Sequence, residues 1–132
     1  MNQGANTANY REPLPDGCPP DIAQEIVQPR DVFRLVRTDP PTEEDFESQR
    51  AEKPGGTFPG IDECQARGLS VHTERGDSEK ALRLPKLRGR LICRLRLRLG
   101  AGTIQQTGRP SHHTWWPLAD YDVLAQCTVE TT

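Results

Sequence analysis

Apolar and cationic residues alternate along Arg90-Leu-Ile-Cys-Arg-Leu-Arg-Leu-Arg-Leu99, with the two-residue repeat of a strand that buries one face. Leu91, Cys93, Leu95, Leu97 and Leu99 share one side; Arg90, Ile92, Arg94, Arg96 and Arg98 share the other. On a helix the same arginines would scatter around the axis. Asp31-Val-Phe-Arg-Leu-Val-Arg37 predicts the first core strand, which Asp39-Pro-Pro-Thr42 ends. Thr42 then caps a short helix over 43–50, with Glu43, Glu44 and Asp45 beside the unpaired amides of its first turn. Pro and Gly make 53–60 a loop. Gly68-Leu-Ser-Val-His72 predicts a second strand, entered through glycine. Asp77 or Ser78 caps a second helix that starts at Glu79, carries Ala81, Leu82 and Leu84, and stops at Pro85. After the arginine strand, 100–102 turns and 103–107 forms a strand. Gly108–Pro117 reads as a polar and aromatic loop, and a last strand spans 121–129 with Val123, Ala125, Cys127 and Val129 in phase.

These elements predict an α+β fold: a single domain with a mixed or antiparallel sheet and two short helices, spanning 30–132. Residues 1–29 hold five prolines and read as an irregular N-terminal arm, pinned by Ile22, Ile26 and Val27. The expected core is Phe33, Leu35, Val36, Phe46, Leu69, Val71, Leu91, Cys93, Leu95, Leu97, Val123, Ala125 and Cys127. Short helices between long Pro/Gly loops argue against a doubly wound nucleotide fold.

Charge changes the picture more than composition does. The net charge of -2 covers eight acidic residues between 39 and 63, and eight basic residues with no acidic one between 81 and 110. Either these regions face each other or the basic one meets an anionic small molecule, a nucleotide, a protein partner or a second copy of the chain. The arginine row has three readings: a salt-bridged sheet surface, a pyrophosphate or nucleotide site, or a nucleic-acid platform. The negative net charge and the lack of aromatics between the arginines weigh against nucleic acid. Cys18, Cys64, Cys93 and Cys127 are too widely spaced for a CxxC motif and read as reduced, structural residues. No leader pattern and no apolar run approaching the roughly 20 residues of a membrane span occur, so the expected location is cytoplasmic, off the membrane.

Candidate chemistry falls at a few positions. Arg34 shares its strand phase with Val32 and Val36, so it needs a carboxylate of this chain or a ligand phosphate if both faces are covered. Arg37 stands at the strand end, beside the Pro-Pro break. His112 and His113 point apart in extended backbone, which disfavours a shared metal. Trp115 and Trp116 offer either packing or flat walls for a nucleobase or nicotinamide. Ser70 lacks the G-x-S-x-G setting of a hydrolase, and no metal spacing is present.

The order Phe33-Arg34-Leu35, then Gly68-Leu-Ser70-Val71, resembles small bacterial ADP-ribosyltransferase-like domains. These place a His or Arg on the first core strand, a Ser, Thr or Tyr on a glycine-led second strand, and a Glu or other polar residue on a later one. Phe-Arg-Leu-Val-Arg-Thr-Asp-Pro-Pro-Thr-Glu-Glu-Asp-Phe, Gly-Leu-Ser-Val and Gly-Arg-Pro-Ser-His-His-Thr also resemble stretches of uncharacterised bacterial proteins. The transferase resemblance implies that Arg34 contacts an NAD cofactor, Ser70 orients its ribose, and His112 or His113 polarises the leaving group or activates an acceptor. Its third, acidic position has Glu130, Asp120 and Asp122 as alternatives. The competing reading is a non-enzymatic interaction module.

Overall fold

The arginine-rich segment is a strand in the computed structural model, which describes residues 9–130. The strands are β1 (Gln24–Glu25), β2 (Arg30–Val36), β3 (Leu69–His72), β4 (Leu91–Leu97), β5 (Gly102–Gln106), β6 (His112–Pro117) and β7 (Cys127–Glu130). They form one sheet in the order β1-β5-β6-β3-β2-β4-β7. Every registered strand pair is antiparallel, which decides between the mixed and antiparallel alternatives. The fold is a single α+β domain.

Register places Val32, Val36, Leu95 and Leu97 on one face with Leu69, Val71, Trp115 and Ile104, and these make the main core. The opposite face carries Phe33, Leu35, Ile92, Ser70, His72, His112, Thr114 and Trp116. Phe33 and Leu35 are only half-buried there, whereas Ile92 is buried. The expected core position of the first two is corrected because they line an opening on that face.

Several sequence expectations change at element boundaries. The helix expected over 43–50 is two pieces: a 3-10 turn at Glu43–Phe46 and α1 (Gln49–Glu52). Glu47 between them is extended, and Ser48 restarts the helix by accepting the Ala51 amide at 3.1 Å. A further helix, α2 (Glu63–Ala66), starts at Asp62, whose side chain accepts the Gln65 amide at 2.8 Å. The helix placed from Glu79 is α3 (Arg75–Ala81), and Ser78 turns inward instead of capping it. Gly108–Pro117 is not all loop. Thr114, Trp115 and Trp116 are buried because cover on both sides of the sheet lets consecutive bulky residues form a strand. The final strand is shortened to β7 by a 3-10 turn at Leu124–Gln126, which leaves Ala125 exposed.

The N-terminal segment crosses the domain through local ties. Tyr10 bridges to Leu118, β1 pairs with β5, and the Glu12 carboxylate holds the Ser48 amide at 3.0 Å and its hydroxyl at 2.6 Å. The expectation of reduced cysteines is corrected: Cys18 joins Cys64, and Cys93 joins Cys127. Each pair is distant in sequence and adjacent only in the fold, information that spacing alone does not hold. Reduction is expected to lower stability by about 2–5 kcal/mol. A urea melt with and without reductant, with thiol titration of the unfolded chain, checks this.

Candidate functional site

β2 and β3 share one registered pair, Phe33 with His72, whereas β3 and β6 share four. Continued pairing would set Leu35 opposite Ser70, but the sheet opens instead. At the opening lies a cavity of about 770 Å³ whose lining includes Arg34, Ser70, His72 and His112. The segment around α1 forms one wall, and 84–90 contributes Lys86 and Arg90 to another.

Arg34 fills part of the missing ladder. Its Nη1 donates to the Ser70 carbonyl at 2.7 Å, its Nε to that of Asp45 at 2.8 Å, and its Nη2 to that of Glu47 at 3.4 Å. The guanidinium carbon lies 5.8 Å from the Phe46 ring centroid. Among the described residues no carboxylate pairs with it directly; carbonyl oxygens do the work. Burial draws its pKa down to about 10, against the pull of Glu52 and Asp45, with Arg37 and Arg90 adding to the lowering. It stays cationic at neutral pH.

Sequence spacing puts Ser70 and His72 on one face, and register brings His112 beside them. His112 Nε2 is 3.1 Å from Ser70 Oγ, and its Nδ1 is 2.9 Å from Thr107 Oγ1. Thr107 Oγ1 in turn lies 2.8 Å from Thr114 Oγ1. His72 Nδ1 meets Ser78 Oγ at 2.9 Å, and its ring stands edge-on to that of His112 at 5.8 Å. Burial lowers the pKa of both imidazoles. His72 and His113 push His112 further down, while Asp77 opposes the shift at His72.

That shift carries a pH signature. A histidine held neutral in the fold binds fewer protons than in the unfolded chain, so it costs stability as pH falls below the unfolded value near 6.5. Thermal midpoints are expected to fall from about pH 7 to about pH 5, and His112→Gln should flatten that slope.

The remaining candidates lie elsewhere. His113 faces the other way, with Nδ1 2.9 Å from the Ser111 carbonyl. Trp115 is fully buried in the core, where its Nε1 donates to the Ala101 carbonyl at 3.0 Å; it is not a cavity wall. Arg37 pairs with Glu52 at 2.8 Å and Asp45 at 3.5 Å. Glu130 pairs with Arg75 at 2.8 Å and Arg94 at 3.5 Å, away from the cavity, and neither Asp120 nor Asp122 lines it. The acidic residues that do line it are Glu47, expected on the helix over 43–50, and Glu52, expected only as part of the acidic stretch between 39 and 63. Thr107 and Phe58 carried no sequence signal beyond their place in a polar strand end and a Gly/Pro loop.

Three arginines of the row have partners within the chain, whereas Arg90 lines the cavity: Arg96 pairs with Asp31 at 3.1 Å, Arg94 with Glu130, and Arg98 donates to Gln126 at 3.2 Å. Among the described residues no cluster of three or more His, Cys, Asp or Glu is placed to hold a metal ion, and no helix is long and apolar enough to cross a membrane. No family model, curated protein or solved structure matches the chain.

Proposed function

We propose that the cavity binds a nicotinamide dinucleotide and that the chain is an ADP-ribosyltransferase-like enzyme. The observation that carries this reading is the convergence of Arg34, Ser70 and His112, from three strands, on one opening in the sheet. The resemblance assigns the first two to its first and second strand positions. Arg34, with Arg90 and Lys86 on the same lining, offers the positive charge that a pyrophosphate requires. Ser70 orients the ribose, and His112 supports Ser70. Phe58, held by the Arg50 guanidinium 4.9 Å from its ring centroid, supplies the aromatic surface once expected of Trp115.

Glu47 takes the acidic role. In the reaction the bond between C1′ and the nicotinamide nitrogen breaks, and both electrons leave with nicotinamide. The Glu47 carboxylate stabilises the resulting oxocarbenium-like centre. An acceptor oxygen, that of water in the simplest case, then bonds to C1′ and gives its proton to Glu47. Isothermal titration with NAD is expected to give saturable heat, and chromatography to show slow nicotinamide release that Glu47→Gln reduces at unchanged affinity. Absence of binding at millimolar NAD overturns the proposal.

The disulfides place a condition on the cytoplasmic location, since such bonds are rare in a reducing compartment. Alkylation of thiols during cell lysis tests it: trapped free thiols support the cytoplasm, and intact disulfides support an oxidising compartment.

A further inference from the structure

The hydrogen-bonded chain from Thr114 through Thr107 and His112 to Ser70 has a direction, and that direction decides what Ser70 does. Thr114 is buried, and Thr107 Oγ1 is the one partner of its hydroxyl among the described residues. A buried hydroxyl proton without an acceptor is costly, about 1–3 kcal/mol. Thr114 therefore donates to Thr107. Thr107 has one hydroxyl proton, and once Thr114 donates to its oxygen, His112 Nδ1 at 2.9 Å is the one remaining acceptor for that proton among the described residues, so the proton lies toward the ring. Nδ1 is then an acceptor, so the neutral ring carries its proton on Nε2 and donates to Ser70 Oγ at 3.1 Å. The Ser70 hydroxyl proton is left to point elsewhere, and Ser70 is exposed on the cavity.

We propose that Ser70 is a hydrogen-bond donor to an acceptor oxygen of the ligand, polarised by a one-way relay from Thr114, Thr107 and His112, and not a nucleophile activated by His112. A serine nucleophile needs the reverse order, with Nε2 free to take its proton. The neighbouring group agrees. Arg34 uses three of its five N–H donors on carbonyls and keeps two. Arg34 and Ser70 line the same opening, and donors there suit a phosphate or ribose oxygen. Thr107 and His112 are positioning residues here, and Gly108, whose added Cβ would stand 3.1 Å from His112 Cβ, lets the turn close on the ring. Only the naming of the oxygen as one of a dinucleotide rests on the function proposed above.

Long-range proton–nitrogen correlation spectra of the ¹⁵N-histidine-labelled full chain near neutral pH test the relay without any ligand, with His72→Gln and His113→Gln used for assignment. His112 is expected to show a protonated Nε2 and an unprotonated, hydrogen-bonded Nδ1. In Thr107→Val the Nδ1 signal should move downfield as its donor is lost, and Thr107→Ser should restore it. A proton on Nδ1 in the wild type, or an Nδ1 signal indifferent to Thr107→Val, overturns the proposal. So does labelling of Ser70 by a fluorophosphonate, which a donor serine resists. Failure of NAD to bind would sink the proposed function and leave these nitrogen signals as they are.

Discussion

Trp115→Ala is expected to destabilise the chain by about 3–5 kcal/mol, the cost of emptying a large core site. Folded domains hold about 5–15 kcal/mol in total, so this one change removes a large part of the margin. Trp115 stands between Leu69 and Ile104 in the sheet, is fully buried, and meets Tyr121 edge-on at 6.2 Å. Trp115→Phe keeps much of the contact but leaves the Ala101 carbonyl without its donor, and should fall between alanine and wild type. Urea midpoints at a common pH and redox state measure both. A loss below about 1 kcal/mol in the alanine variant would contradict the packing assigned to this site.

Arg34→Met should abolish NAD binding and also lower stability, by about 2–4 kcal/mol. The methionine retains length and apolar bulk, but the carbonyls of Asp45, Glu47 and Ser70 lose a charged donor. Arg34→Lys is expected to rescue little of either property, because an ammonium point charge cannot reproduce a planar fork aimed at separate acceptors. Titration calorimetry and thermal melts on the same preparations separate the two effects. Full NAD affinity in a folded Arg34→Met chain would remove Arg34 from the site.

The legible parts of the sequence were those governed by period two. Leu91–Leu97 alternates apart from the apolar Ile92, and its burial departs from the alternation at that same residue, which the opposite face also covers. Gly68–His72 announced both its strand and its outward Ser70. The tryptophan strand was not legible, because consecutive buried residues on a doubly covered strand lose the alternation that marks a half-buried one. The disulfides were hidden for a different reason, being products of long-range contact. The site was partly legible: Arg34, Ser70 and His112 carry their chemistry in their side chains. Their convergence depends on an interruption between two strands, and no local pattern encodes it. Glu47, proposed above for the acidic role, was masked because it follows Glu43, Glu44 and Asp45, the helix-start carboxylates, and carries no pattern of its own.

The gap between β2 and β3 also bears on strand addition from another chain. An interrupted ladder creates an internal edge, and exposed edges accept strands from other chains. Here Arg34 occupies the Ser70 carbonyl with a side chain where a foreign amide would otherwise dock. The guanidinium that lines the cavity therefore also occupies the open strand edge, at the carbonyl an incoming strand would need.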